Sequence, residues 1–328
     1  MNPEMSLSKG LTLVELMIAM TLGLILTGGV IGVFLANQQT YRVNQAISEV
    51  QENARAASQL MARDVRSAGF NGCTNSITVA NTLKNNVATD WWATWSNGIR
   101  GYDSTGPTTF SPAQVAGTDS LQIMFGGGRS LNVESHTANS AQFKVNRANH
   151  GINPGDILIA CDPAHAAIFQ VTNSNQSNAT IVHNTGAGSP GNCTKLLGYP
   201  VLCEESGLGG TPYQFTANSM LFGLQSIAWY VGTNPRGTNS LYRVSISGST
   251  PVTEEIIDGV ADLQFRYLRS GAVSYQTATQ ITAISPDEWA RVVSVEIDLL
   301  LNPATNNVGL SADLRRVRQV VTLRNRVE

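Results

Sequence analysis

Three patterns of apolar and polar positions follow one another along the chain. From Leu11 to Ala36 the residues are apolar apart from a few Thr and Gly and one acid, Glu15. As a helix this stretch spans about 39 Å, enough to cross a bilayer. Apolar or small residues then recur at Val43, Ile47, Val50, Ala54, Ala57, Met61, Val65 and Ala68. Steps of three and four place them on one helical face. Arg63 and Arg66 suit the C-terminal end of the dipole, and Gly69 is a natural stop. With no Pro, and no Gly between Gly32 and Gly69, the pattern predicts one helix of about 58 residues, roughly 87 Å long.

After Gly69 the pattern changes to short runs between clusters of Gly, Asn, Ser and Pro. Expected strands are Leu121–Phe125, Gln142–Val145, Ile157–Cys161, Ile168–Thr172, Thr180–His183, Ser226–Val231, Leu241–Ser245, Leu263–Leu268, Val292–Leu301 and Val317–Leu323. No sustained second helix is expected. Ser285 and Pro286 can open one short turn as N-cap and first helical residue. The predicted fold class is α+β, a long N-terminal helix packed on a mostly antiparallel β-sheet domain. Trp91, Trp92 and Trp95 are expected to form a satellite core rather than an exposed patch.

Composition narrows the function classes. A net charge of -2 gives no basic excess of the kind that marks nucleic-acid binders, so no direct nucleic-acid binding is expected. No GxSxG, HExxH or Walker motif is present, and no enzymatic activity or cofactor is expected. Gly126-Gly127-Gly128-Arg129 reads as a flexible turn. His136, His150, His165 and His183 are scattered and read as surface or core residues. Asp156 and Asp162 flank Cys161 but make a weak calcium pair, so no metal is expected.

The N-terminal segment carries the clearest signal. A cut after Gly10 would leave the apolar helix on the mature protein, unlike removal of a secretory signal peptide. Glu15 then lies one turn from the new N-terminus. A carboxylate at membrane depth costs roughly 2.5–3.5 kcal/mol, so it reads as functional. The string Lys9-Gly10-Leu11-Thr12-Leu13-Val14-Glu15-Leu16 resembles the class III signal of type IV prepilins and type II secretion pseudopilins. The resemblance implies cleavage after Gly10 by a prepilin peptidase and N-methylation of Leu11, which stands where that family usually has Phe. It also implies that Glu15 neutralises a Leu11 ammonium during subunit docking. Gly32 occupies the position of a Pro found in many major pilins. The strings Asp258–Tyr267, Trp289–Val295 and Val321–Arg326, with Gly72-Cys73 and Ile159–Asp162, are similar to PilW-type minor pilins.

That resemblance implies residues 1–10 as a cytoplasmic leader and 11–36 as the membrane-spanning and filament-core half of the helix. It makes 37–69 the amphipathic half and 70–328 a periplasmic β-rich domain that later stands on the cell surface. The implied role is a minor pilin in pilus assembly and initiation, at or near the tip, supporting twitching motility and attachment. The implied partners are other minor pilins, the major pilin, the prepilin peptidase, the inner-membrane assembly platform and, before assembly, the lipid bilayer. A J-type pseudopilin of type II secretion and a pilus-tip adhesin are the alternatives; a membrane-anchored hydrolase would need a cluster of titratable groups that the sequence does not offer.

An oxidising compartment would pair the four cysteines as two disulfides. Cys193 and Cys203 are favoured as one bond, being close in sequence with Gly198 and Pro200 between them. Cys73 and Cys161 then form the other, and the two remaining connectivities stay open.

Overall fold

The computed structural model describes residues 12–73, 78–84, 90–107, 110–186, 188–203, 209–302 and 311–326. Lys9, Gly10 and Leu11 lie outside the described residues. Helix α1 runs unbroken over Leu13–Ser67. It passes straight through Gly32, which leaves the helix continuous. Thr12 caps it, its Oγ1 accepting from the Glu15 N–H at 3.3 Å while the Glu15 carboxylate accepts from the Thr12 N–H at 3.0 Å. This reciprocal pair satisfies donors that a helix start otherwise leaves without partners. At the other end Gly69 takes φ +74°, the left-handed conformation that lets the chain leave the helix. A Cβ built on the neighbouring Gly98 would meet the Gly69 Cα at 2.3 Å, so the two backbones touch where only glycine fits.

Fourteen strands follow among the described residues. They are β1 (Val79–Asn81), β2 (Ile99–Tyr102), β3 (Ser120–Thr137), β4 (Gln142–Val145), β5 (Ile157–Cys161), β6 (Ala166–Gln170) and β7 (Asn173–Asn175). The rest are β8 (Thr180–Val182), β9 (Met220–Thr233), β10 (Asn239–Ser247), β11 (Thr250–Asp258), β12 (Val260–Arg269), β13 (Val292–Leu301) and β14 (Arg316–Thr322). Strands β1 to β11 make one sheet around the long pair β3 and β9, in register with Ile123 opposite Ile227. Only β1 and β6 are parallel among its described pairs. Strands β12, β13 and β14 form a second, antiparallel sheet.

Two expectations are corrected here. Gly126–Arg129 is not a turn: it lies inside β3, where the register with β9 shifts between Gly127 and Ser130. The glycines let the strand bulge without ending it. A second helix, α2 (Ala278–Ile284), is present, capped by Thr277 with Gln280 in a second capping box. Seven residues, Thr-rich and two turns long, give too short a periodic signal to be seen as a helix. A further short helix, α3 (Ala312–Arg315), precedes β14. The turn after Ser285 is a 3₁₀ segment, Pro286–Arg291, with the Ser285 hydroxyl accepting from Asp287 N–H at 3.2 Å.

The main core lies under α1. Val50, Ala54, Ala57, Met61 and Val65 pack against the inner residues of β12–β14, among them Phe265, Ile297 and Val321, and against Ile123, Ile227 and Trp229 of the large sheet. Small residues on the helix let the backbone come close to both sheets. A second core on the far side of the large sheet holds Trp91 and Trp92, with Phe110 stacked on Tyr230 at 4.1 Å. The tryptophans are therefore interior, and Trp95 packs half-buried beside them. A third core surrounds Phe143, Phe169 and Phe215.

The sulfurs of Cys73 and Cys161 are bonded, as are those of Cys193 and Cys203. The first bond joins the segment after α1 to β5 across 88 residues of sequence, and the second closes a loop over 10.

Candidate functional site

The functional surface begins where the packing of α1 changes. From Leu13 to Leu35 its large apolar residues are exposed, Leu13 at 77% and Leu24 at 73%. From Ala46 onward one face is buried. The helix is long and apolar enough in its first part to cross a membrane, and none of that part is covered by the rest of the chain. Such a length of uncovered, largely aliphatic helix in water would be strongly unfavourable at about 25 cal/mol per Å², so this segment needs a bilayer or other helices around it.

Glu15 sits at the start of this surface. Its Oε2 accepts from the Thr12 N–H at 3.0 Å and from the Thr12 hydroxyl at 2.9 Å. Within one chain the carboxylate is thus held by Thr12. The Leu11 amine expected as its partner is outside the described residues.

The lower half of α1 is fixed by a charged contact that the sequence reading passed over. Asp64, only 2% exposed, lies among the apolar residues Met61 and Val65. Its Oδ2 accepts from Arg243 Nε on β10 at 2.8 Å and from the Trp229 indole N–H on β9 at 3.2 Å. A buried carboxylate needs such donors to offset lost hydration. Asp64 lies three residues after Met61 and seven after Ala57, which puts it on the inner face. That spacing was the available signal.

The end of the chain closes on the end of the helix. Asn325 Nδ2 donates to the Ala68 carbonyl at 3.3 Å. Arg326 donates to the carbonyls of Trp289 at 2.6 Å and Val292 at 3.0 Å, and also to the Asn97 carbonyl. Burial among carbonyls pushes the Arg326 guanidinium down to about 10. Arg324–Arg326 belongs to one of the strings that carried the sequence resemblance, and its chemistry here is to tie β14 to the helix terminus.

The four histidines are buried. His136 Nδ1 accepts from Phe215 N–H at 3.1 Å, which places its proton on Nε2, facing His183 Nε2 at 3.1 Å. Burial pushes His136 down to about 4 and holds His183 well below the usual imidazole range. His165 Nε2 meets the Leu197 carbonyl at 2.7 Å, and His150 Nδ1 accepts from Ile152 N–H at 3.1 Å. Asp162 is held by the Ala164 and His165 N–H groups and by the Tyr213 hydroxyl. Asp156 accepts from Asn153 N–H. Among the described residues no group of three or more His, Cys, Asp or Glu is placed to hold a metal ion.

An apolar helix bare along its first part and gripped by a β-rich head along its second is the plan of a pilin-like subunit. Comparison with known families agrees at both ends of the chain. Residues 5–31 match the prokaryotic N-terminal methylation motif. Residues 228–324 match the family of type IV pilus-assembly protein W. The first match spans Lys9, Gly10, Leu11 and Glu15. The second runs from β9 through β14, and so covers the second sheet, Trp229 and Arg243, ending just before Asn325. No curated protein matches the chain. Together the two matches support a type IV pilus-associated, pilin-like protein, anchored by its N-terminal apolar helix, whose matched domains are structural rather than enzymatic.

Proposed function

We propose that the chain is a minor subunit of a type IV pilus that helps to start filament assembly. The observation that carries this reading is the division of α1: Leu13–Leu35 uncovered, Ala46–Ala68 locked to the head. Such a part is stable alone only in a membrane, and in a filament once neighbouring helices replace the lipid. Residues 1–10 are the leader, removed after Gly10, and Leu11 becomes the methylated first residue. Residues 11–36 span the inner membrane and later enter the filament core, 37–69 join them to the head, and 70–328 fold in the periplasm, where Cys73–Cys161 and Cys193–Cys203 form.

Glu15 docks the subunit. Its carboxylate, held by Thr12 in the single chain, turns to the Leu11 ammonium of its own chain or a neighbour as helices pack, because the ion pair gains strength when water is excluded. The partners are other minor pilins and the major pilin, with a place at or near the tip and a role in twitching and attachment. The match of residues 228–324 favours the pilus over a type II secretion pseudopilin.

The test is the intact mass of the protein taken from membranes, together with what it co-purifies with. A mature chain starting at N-methylated Leu11, recovered with other minor pilins, is expected. A retained Met1, or a cut after Ala36, would overturn the reading of the helix.

A further inference from the structure

Strands β11 and β14 each leave one edge without a backbone partner among the described residues. Strand β11 pairs with β10 alone, and β14 with β13 alone. A free edge is a template for another strand, and proteins guard such edges with charges and proline. Strand β11 carries Pro251, Glu254 and Glu255, whereas β14 carries Arg316 and Arg318. One guard is acidic and the other basic. Two β11 edges would gather carboxylates and two β14 edges would gather guanidinium groups, but β11 and β14 complement each other.

The match extends residue by residue. On β14 the exposed side chains are Arg316, Arg318, Val320 and Thr322, alternating with Val317 and Val321, which pack in the main core. On β11 Thr250, Val252 and Glu254 share one exposed face. Val252 is 42% exposed and Val320 51%, so each edge bears a bare valine beside its charge. An antiparallel register with Val252 opposite Val320 sets Glu254 opposite Arg318 and Thr250 opposite Thr322. Opposite charges and paired threonines are favourable across strands, and the valines cover each other. A slip of two residues would set Val252 against Arg318 or Thr322. Arg318 can turn to Glu254 without stranding its present partner Asp298, which Arg316 also holds at 3.1 Å.

The strand directions agree with this pairing. From Glu254, opposite the Arg243 that holds Asp64, β11 runs to Gly259 and into β12. There Val260 pairs with Leu301, at the end of the second sheet where Arg316 opens β14 opposite Leu300. Strand β14 then runs back toward Asn325, which meets Ala68 at the end of α1. The two strands thus run in opposite senses along α1. Antiparallel pairing between copies therefore leaves their helices pointing the same way, as anchoring in one membrane requires.

We propose that the heads of two copies of this chain join by strand addition, β11 of one pairing antiparallel with β14 of the next, Val252 opposite Val320. Each copy uses a different edge, so the contact is head-to-tail and can repeat along a row. It does not rest on the pilus reading, since copies held in any one membrane present the same edges. The test is oxidative cross-linking of full-length chains in membranes, with separately tagged Val252→Cys and Val320→Cys copies expressed together. A mixed dimer is expected, with a peptide bridging the two new cysteines, because directly opposed residues lie near disulfide reach. Either variant alone, or Val252→Cys with Thr322→Cys, should give much less. Adding Glu254→Arg to one copy or Arg318→Glu to the other should lower the mixed product at least about fivefold, and adding both should restore it. All these positions are exposed, so melting temperatures should stay unchanged. Absence of the mixed dimer, as much dimer from either variant alone, or a yield indifferent to charge reversal would each overturn the proposal.

Discussion

Arg243 on β10 reaches across to Asp64 on α1 and holds its carboxylate at 2.8 Å, with the two residues 179 apart in sequence. This contact, shared with the Trp229 indole, ties the helix to strands β9 and β10 of the large sheet. Because Asp64 is 2% exposed, removing Arg243 leaves its carboxylate charged in a closed site, whereas Arg243 is 17% exposed and lies 3.9 Å from Glu254. Arg243→Met is expected to cost about 3–5 kcal/mol in denaturant unfolding, as for other broken buried pairs. Asp64→Leu combined with Arg243→Met should recover much of that loss. A single-variant cost under about 1 kcal/mol would assign the grip to the apolar contacts alone.

The two disulfides should differ in weight. Cys73–Cys161 closes 88 residues and Cys193–Cys203 closes 10. On the chain-entropy account these loops are worth about 4.6 and about 2.7 kcal/mol. Replacing Cys73 and Cys161 by Ala should therefore lower stability more than replacing Cys193 and Cys203, and should loosen α1 from β5 by hydrogen exchange. Equal losses would show that the short loop is ordered without its bond. Non-reducing peptide mapping checks the pairing itself.

Acid should weaken the third core. In the unfolded chain both imidazoles titrate near 6.5, whereas in the folded protein His136 stays neutral down to about 4 and His183 is also held low. Below pH 6.5 the unfolded chain takes up protons that the native one refuses, so stability falls from there toward about pH 4. Above 6.5 this contribution is fully present. Denaturation midpoints measured between pH 7.5 and 4.5 should show the decline. His183→Gln should flatten it, and an unaltered slope would remove the pair from the account.

Glu15→Ala should leave membrane insertion and cleavage intact and reduce recovery of the protein in sheared filaments. It also removes one half of the cap at Thr12, costing on the order of 1 kcal/mol of local helix stability. Thr12→Val shares the cap loss but keeps the carboxylate. Normal filament incorporation of Glu15→Ala, or equal defects in both variants, would reduce Glu15 to a capping residue.

The readable parts of the sequence were those with an uncontested period. Ile157–Cys161 and Val292–Leu301 are strands with the expected bounds, and the buried face of α1 follows the expected spacing. Strand β11 was missed because Pro251 and the adjacent Glu254 and Glu255 carry no alternation. It lies at an edge, pairs with β10 alone among the described residues, and is exposed on both faces from Thr250 to Glu255, so that stretch needs none. Strand β2 is four residues with a central Gly, too short to signal. Asp64 was hidden by its residue type: a charge is ordinarily assigned to the wet face, and only tertiary partners more than 160 residues away keep it on the dry one.

The helix is held at one end only, which makes it a lever. Residues 13–45 extend from the head by about 50 Å. A change of about 5° at the root would carry the free end about 4 Å, close to the rise of one helical turn. The short contacts around Asp64, Ala68 and Arg326 are therefore the fulcrum. Small differences in how they are seated become whole-turn differences in where Glu15 meets its neighbour.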